Sequence, residues 1–496
     1  MRGGRELARR AGVWTAGGIA VLHASATPAV AMASGREGVD PFSYILLELA
    51  VIILVAAAGR LVAERLGQSP VLGELAGGVV LGNVGYWLGS PFYVIMMLGN
   101  TGPLFSNVWS SGLSLAETAR QVYPAADMLP GGSGHRVLDI LSGPHGHELV
   151  VLGLGVWMFS NLGVILLLMM AGLESSVEQM LQVGPAATLV AVVGVAVPFG
   201  LGVATSWWLV PAASVTTHVF LAATLCATSV GITARVFKDM GKLQIPEARI
   251  ILGAAVIDDV LGLVILAVCS GMAASGSVEV GDVLQVSLAS IVFLGAVLLF
   301  GEWVVRALAQ VAMRVTPEHV KLFFPLVVTF VMAWLANRIG LATVVGAFAA
   351  GLILSEQHFE NERGHGTATM QEVIGPLEAL FAPVFFVLMG MQVNLQAFTQ
   401  SGPLLIATLL TVSAVLGKLA TGLAVSKSLD RLSVGIGMVP RGEVGLIFAG
   451  VGKTLGVLND ALFSAVVVMV IATTLLTPVA LKWSLARGGA KARVER

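Results

Sequence analysis

The sequence predicts an all-α polytopic membrane protein, and three observations support that prediction. Only 11% of the 496 residues are charged and 56% are hydrophobic, whereas soluble domains carry about 25% charged residues. Apolar runs of about 20 residues, long enough to cross a lipid bilayer, recur along the chain. The 28 basic and 29 acidic residues balance, so the basic excess typical of a nucleic-acid-binding protein is absent and no nucleic-acid partner is expected.

The apolar runs predict about thirteen transmembrane helices. An odd number of spans places the two ends of the mature chain on opposite sides of the membrane. The predicted spans lie at 44–65, 70–90, 150–173, 184–210, 217–239, 248–272, 282–305, 320–337, 342–356, 376–393, 403–425, 432–452 and 459–481.

The start of the chain predicts the orientation. Residues 1–33 combine a basic start, an apolar stretch and small residues near position 31, which is typical of a secretory signal peptide; an uncleaved first helix is the alternative. Cleavage would leave the mature N-terminus outside. Sixteen Lys and Arg residues then fall in inner segments and five in outer ones, as the positive-inside rule requires. We expect a multi-pass protein of the inner (plasma) membrane, with a short basic tail at 484–496 in the cytoplasm.

Neither the histidines nor the cysteines predict a metal site or a disulfide framework, so no cofactor is expected. An outer insertion at 91–149 contains His145 and His147, but without a clear third ligand they indicate a solvated loop. Cys226 and Cys269 lie inside apolar runs, where we expect them to be packing residues.

Two sequence matches predict an inverted repeat. The segment VLGELAGGVVL at 71–81 resembles VVGAFAAGLIL at 344–354, and MAGLE at 170–174 is weakly matched by LMGMQ at 388–392. Six helices then precede a linker helix and six follow it, so equivalent helices run in opposite directions, as in many secondary transporters. Chance similarity among small-residue packing motifs is the alternative. The predicted first repeat, linker and second repeat lie at 44–272, 273–319 and 320–483.

Asp258 and Asp259 are the most informative of the few ionisable residues inside the predicted spans. A charge at the bilayer centre costs at least about 3 kcal/mol unless it is paired or hydrated, so it indicates a functional site. Adjacent helical residues point about 100° apart, so the two carboxylates face different neighbours. A buried carboxylate can hold a proton or a monovalent cation but not both at once, and this competition is the physical basis of exchange.

Lys418 is the one lysine deep within a predicted span. Its natural partner is one of the two aspartates, and a cation arriving at the site could displace its ammonium group. The alternative is a lysine that snorkels to the interface, but Lys418 lies about 15 residues into the run 403–425, which argues against that position.

Two predicted spans contain helix-breaking segments at corresponding places in the two halves. The first has hydroxyls and a glycine around Thr228 and Ser229, and the second, 438–445, contains proline, glycines and charges. Interrupted helices at matching positions indicate a transport site. Hydroxyls and freed carbonyls can coordinate a hard cation, and Arg441 and Glu443 can compensate the opposed half-helix dipoles. The alternative is that the Thr and Ser hydroxyls only donate to carbonyls of the preceding helical turn. That alternative does not explain the proline and the charges of the second segment.

These residues together resemble a known family. From about Tyr44 to Trp483, the chain is similar to the bacterial antiporters of the second monovalent cation:proton antiporter family, particularly the electrogenic sodium/proton antiporters of the NapA type. The resemblance rests on motifs at 72–75, 172–174, 227–229, 257–259, 346–348 and 440–443.

The resemblance implies a dimerisation domain, a homodimer, a core with two crossed discontinuous helices, and alternating access by an elevator-like movement. Asp259 would be the carboxylate shared by the cation and the proton, and Asp258 would be the partner of Lys418. Thr228 and Ser229 would be ligands at the crossover. The implied substrates are sodium or lithium ions and protons.

Three alternatives are weighed against this interpretation. A potassium/proton antiporter would share the fold, since both ions prefer oxygen ligands, although Lys418 and the paired acids favour sodium. An ion channel or a non-transporting membrane sensor is the alternative of another class, but a channel favours a continuous symmetric pore over an inverted repeat. An intramembrane aspartyl hydrolase would place its acids on two facing helices, so no enzymatic activity is expected.

Overall fold

The computed structural model describes residues 41–98, 104, 114–123, 128–174, 184–229, 233, 236–237, 240, 242, 245–275, 288–289, 292–293, 295–315, 320–339, 341–355, 369–396, 401–441 and 443–494. These residues form seventeen α-helices and contain no strand, which confirms the predicted all-α class. Eight helices of the described residues are long and apolar enough to cross a membrane, and the total of thirteen spans stays a prediction. The predicted signal peptide at 1–33 lies outside the described residues.

Most of the long helices overlap predicted apolar runs, whereas three shorter helices lie in the predicted insertion at 91–149 and one helix begins near the end of the run 282–305. In chain order they are α1 (Pro41–Arg65), α2 (Pro70–Trp87), α3 (Pro91–Leu98), α4 (Leu115–Val122), α5 (Ser133–Leu141), α6 (Gly146–Glu174), α7 (Pro185–Leu209), α8 (Val215–Thr224), α9 (Pro246–Ser275), α10 (Glu302–Val315), α11 (Val320–Arg338), α12 (Thr343–Ile353), α13 (Met370–Met391), α14 (Ser401–Leu419), α15 (Arg431–Gly437), α16 (Glu443–Thr454) and α17 (Asp460–Val494). Several begin with proline at the first helical position, where its missing N–H removes no helical bond. The last helix continues through most of the predicted tail.

The long helices pack into two groups. The first consists of α1, α2, α6, α11, α12 and α13, and the second consists of α7, α8, α9 and α14 to α17. Each group takes helices from both predicted repeats. The residues predicted to bind ions all belong to the second group or to the interruptions within it.

The glycines of the predicted repeat pack against one another in a reciprocal way. Gly172 on α6 lies against Gly351 on α12, and Gly78 on α2 lies against Gly390 on α13. The two sequence matches pair Gly78 with Gly351 and Gly172 with Gly390, so each contact maps onto the other. The backbone contacts follow the same register: a Cβ at Gly172 would overlap the Phe348 carbonyl, and one at Gly390 would overlap the carbonyl of the matching Leu75. A two-fold relation between the halves would produce this reciprocity.

Adding a methyl group at Gly390 is expected to destabilise the protein. The Gly390→Ala side chain would overlap the backbone of α2, and overpacking of this kind costs about 1–3 kcal/mol. Gly375→Ala on the same helix is the matched control, because a Cβ there meets nothing within 4 Å. Thermal unfolding in detergent should show a lower Tm for Gly390→Ala alone; equal Tm values would contradict the close approach of α2 and α13.

The insertion at 91–149 packs on the first group of helices. Tyr93 on α3 donates to the buried Glu48 carboxylate of α1 over 2.9 Å, and Arg136 on α5 donates to the Tyr86 hydroxyl of α2 over 2.8 Å. Residues Phe92 to Leu98 of α3 are buried. Among the described residues, no group of three or more His, Cys, Asp and Glu side chains is placed to hold a metal ion.

Candidate functional site

Two helices of the second group are interrupted inside the spans where the sequence predicts a break. Helix α8 ends at Thr224, and residues 225–229 are not helical. Helix α15 ends at Gly437, residues 438–441 are not helical, and helix α16 begins at Glu443. Each interruption frees backbone N–H and carbonyl groups, which need partners at membrane depth.

The two interruptions cross and provide those partners for each other. The Ser229 N–H donates to the Pro440 carbonyl over 2.9 Å, and the Thr233 hydroxyl donates to the Gly437 carbonyl over 2.7 Å. The Thr228 hydroxyl contacts the Met438 carbonyl at 3.4 Å. Thr228 and Ser229 are both buried. These contacts confirm the prediction of two crossed discontinuous helices.

Arg441 connects the crossover to helix α14. Its guanidinium is fully buried and donates from Nη1 to the Ala227 carbonyl over 2.8 Å and from Nη2 to the Ala414 carbonyl over 3.3 Å. The carbonyl of Arg441 itself accepts from the Thr474 hydroxyl of α17 over 2.6 Å. A positive charge at the C-terminal end of α8 stabilises the partial negative charge of that helix end. The dipole compensation that the sequence predicts for Arg441 stays a prediction.

Asp258 and Lys418 form a buried ion pair beside this crossover. Lys418 Nζ on α14 donates to both carboxylate oxygens of Asp258 on α9, each over 3.1 Å, and both side chains have no exposed surface. Helix α14 changes to a 3₁₀ turn at Ala420, and the Thr421 hydroxyl donates to the Lys418 carbonyl over 2.6 Å. A 3₁₀ turn is a common way for an α-helix to end. The structure thus brings together the acid and the lysine that the sequence pairs, and their role in ion binding stays a prediction.

Two predicted site residues have side chains outside the described part of the structure. Asp259 follows Asp258 on helix α9, and Glu443 is the first residue of helix α16. Their backbones place them next to the ion pair and next to the crossover, respectively. Their predicted roles, and that of a monovalent cation at Asp258 and Asp259, therefore stay predictions.

Charges elsewhere in the spans pair locally. Glu74 on α2 forms a salt bridge of 2.8 Å with Arg60 on α1. Lys453 at the other end of α16 lies 3.0 Å from Asp460. Neither pair lies at the crossover.

The sequence does not predict several contacts between the site and the helices that surround it. Thr474 lies in a long apolar helix, and the bond from Ala414 to Arg441 uses a backbone carbonyl, so neither has a sequence signal. Cys226 was predicted to be a packing residue, and it is buried, but its thiol also contacts the Val195 carbonyl of α7 at 3.6 Å. The cysteine next to the Ala-Thr-Ser segment is the one signal that could have indicated this contact.

Comparison with known proteins shows the family of this chain. The family described as "Sodium/hydrogen exchanger, transmembrane" matches residues 121–487. The high-affinity Na⁺/H⁺ antiporter NhaS3 of Synechocystis is 34% identical over 441 residues, which cover 88% of each chain. The protein belongs to the transmembrane sodium/hydrogen exchanger family. Two other proteins are similar to this chain, one in sequence and one in fold.

The Na⁺/H⁺-K⁺ antiporter GerN of Bacillus cereus is 34% identical to this sodium/hydrogen exchanger family member over 334 residues. The aligned region covers 66% of this chain and 82% of GerN. The structure of the sodium proton antiporter MjNhaP1 of Methanocaldococcus jannaschii aligns with a TM-score of 0.54 at 13% identity, covering 90% of this chain and 99% of MjNhaP1. At that identity the structural match supports the fold alone.

Proposed function

We propose that the protein exchanges sodium or lithium ions for protons across the inner membrane by alternating access. The observation that supports this proposal most directly is the buried Asp258–Lys418 pair next to two crossed, interrupted helices. A buried ion pair brings little stability over an apolar pair of the same size, so its presence at membrane depth favours a role in transport. The named relatives are consistent with this substrate choice.

The proposed ion site combines carboxylates with the crossover. Asp259 holds either the cation or the proton, Asp258 holds Lys418 until a cation arrives, and Thr228 and Ser229 supply oxygen ligands from the interruption. Arg441 and Glu443 balance the half-helix dipoles. The repeats at 44–272 and 320–483 together form a dimerisation domain and a core that carries this site. The core moves like an elevator to alternate access, within a homodimer that has its N-terminus outside and its C-terminus in the cytoplasm.

Exchange is proposed to be electrogenic. If more than one proton enters for each sodium ion, each excess charge gains about 2.3 kcal/mol per 100 mV of inside-negative potential. That energy would expel sodium even at a small pH difference. An imposed potential in liposomes should therefore change the rate of exchange, and a rate independent of potential would indicate electroneutral exchange.

A potassium/proton exchanger is the second candidate, because the name of the similar GerN protein includes potassium. A channel is disfavoured, since the buried ammonium of Lys418 occupies the acidic site and must leave before a cation binds. A sensor without transport would show no coupled flux at all.

The test uses purified protein in liposomes with an acidic interior and a trapped pH-sensitive dye. Sodium, lithium or potassium is added outside, and protein-free liposomes are the control. Loss of internal protons with sodium and lithium, but not with potassium, is the expected result. Loss with potassium alone would replace the first candidate by the second, and no cation-dependent signal from folded protein would contradict exchange.

A further inference from the structure

Helix α7 contacts the helix that carries Lys418 through a stripe of mostly small residues. A Cβ placed at Gly194 would lie 3.3 Å from Lys418 Nζ and 3.2 Å from the Thr421 methyl group. Gly194 therefore borders the ammonium group that Asp258 holds. The buried positions of α7 are Ala187, Val190, Ala191, Gly194, Pro198, Gly202 and Ser206.

Pro198 removes the helical hydrogen bond of the Gly194 carbonyl. In an α-helix, the N–H of residue 198 would donate to the carbonyl of residue 194, but proline has no N–H. Pro198 is buried and packs against Gly417, the residue before Lys418. The carbonyl that lacks its helical donor thus belongs to the residue that borders the ammonium.

We propose that Gly194 and Pro198 form a second docking place for the Lys418 ammonium. This inference rests on the cation exchange proposed above. When sodium binds at the aspartates, the ammonium leaves Asp258 and donates to the Gly194 carbonyl. Glycine leaves the space for this movement, and proline has no N–H that would compete with the ammonium for this carbonyl.

The energetic reason is the cost of an unpaired charge inside the membrane. A displaced ammonium without an acceptor is a buried ion with no partner, which is strongly destabilising. Sodium would then compete poorly for Asp258. An acceptor within reach lowers the cost of displacement, so the docking place raises the apparent affinity for sodium without contacting sodium.

Two variants test the two parts of this inference. Gly194→Ala places a methyl group in the space beside the ammonium, and Pro198→Ala restores the N–H that occupies the Gly194 carbonyl. Gly200→Ala is the matched control: it lies on the same helix, gains the same helix propensity as Gly194→Ala, and a Cβ there meets nothing within 4 Å. Thermal unfolding in detergent checks that each variant is folded.

The readouts are the KM for sodium and the maximal rate of proton loss in liposomes. Both Gly194→Ala and Pro198→Ala should raise the KM about threefold to tenfold, with the maximal rate within about twofold of wild type. A purely structural defect would lower the maximal rate instead.

The outcomes separate this inference from the proposed function. Wild-type flux with KM values equal to those of Gly200→Ala in both variants would overturn the docking place and leave exchange intact. A higher KM in Gly194→Ala alone would overturn the role of the free carbonyl. Absence of sodium-dependent flux in the wild type would overturn the proposed function, and the inference with it. If one variant does not fold, the other decides.

Discussion

Replacing Asp259 by asparagine is expected to reduce sodium-dependent proton loss to the level of protein-free liposomes. Asparagine keeps the size of the side chain but can bind neither a proton to exchange nor a cation by charge. The fold should persist, because the amide removes a charge that helix α9 would otherwise hold at membrane depth. The measurement is dye-reported proton flux at saturating sodium, together with the Tm in detergent.

Asp139→Asn is the matched control for this variant. Asp139 lies on helix α5 of the outer insertion, is largely exposed, and contacts His135 at 2.9 Å. The same chemical change there should leave the flux unchanged. Wild-type flux in Asp259→Asn would remove Asp259 from the proposed site and would make Asp258 the candidate carboxylate.

Breaking the Asp258–Lys418 pair from one side is expected to have the largest effect on stability. Lys418→Met leaves a fully buried carboxylate without its partner, and removal of one member of a buried ion pair costs about 3–5 kcal/mol. Replacing both members by apolar residues, Asp258→Leu with Lys418→Met, should recover most of that loss. Unfolding of the two variants and of Asp258→Leu completes a double-mutant cycle.

The control for the cycle is Lys453→Met, which removes the lysine from a pair whose acid is partly exposed. Its cost should be smaller, because the Asp460 carboxylate can still be solvated. A loss in the double variant equal to the sum of the losses in Lys418→Met and Asp258→Leu would show that Asp258 and Lys418 are not coupled. Both Asp258 variants should lack exchange regardless of their stability.

The sequence is sufficient to predict those features that differ from an ordinary apolar membrane helix. Apolar length predicts the long helices, and proline, glycine and charge inside a span predict the interruption at 438–441. The pairing of Lys418 with an aspartate is also predictable, because a membrane span offers few partners for a buried ammonium. These signals are strong because a charge or a helix break in the hydrocarbon core of the membrane is energetically costly.

Other features depend on contacts that leave no pattern in the sequence. The repeat matches align Gly78 with Gly351, but they do not reveal that Gly78 contacts Gly390 instead. Whether Asp258 or Asp259 faces Lys418 is likewise undetermined by residue type, since both are the same acid on one helix. The resemblance assigned Asp258, and the structure places Asp258 there.

The sequence by itself determined that this protein is a polytopic helical membrane protein with interrupted helices and a small set of buried charges. Hydrophobic length and the cost of a charge in lipid act residue by residue, so they can be read along the chain. The tertiary structure alone decided which groups join the two interruptions, that Arg441 connects them to helix α14, and that Gly194 borders Lys418. Each of those contacts uses a backbone group of a residue distant in sequence from its partner, and every residue carries the same backbone groups.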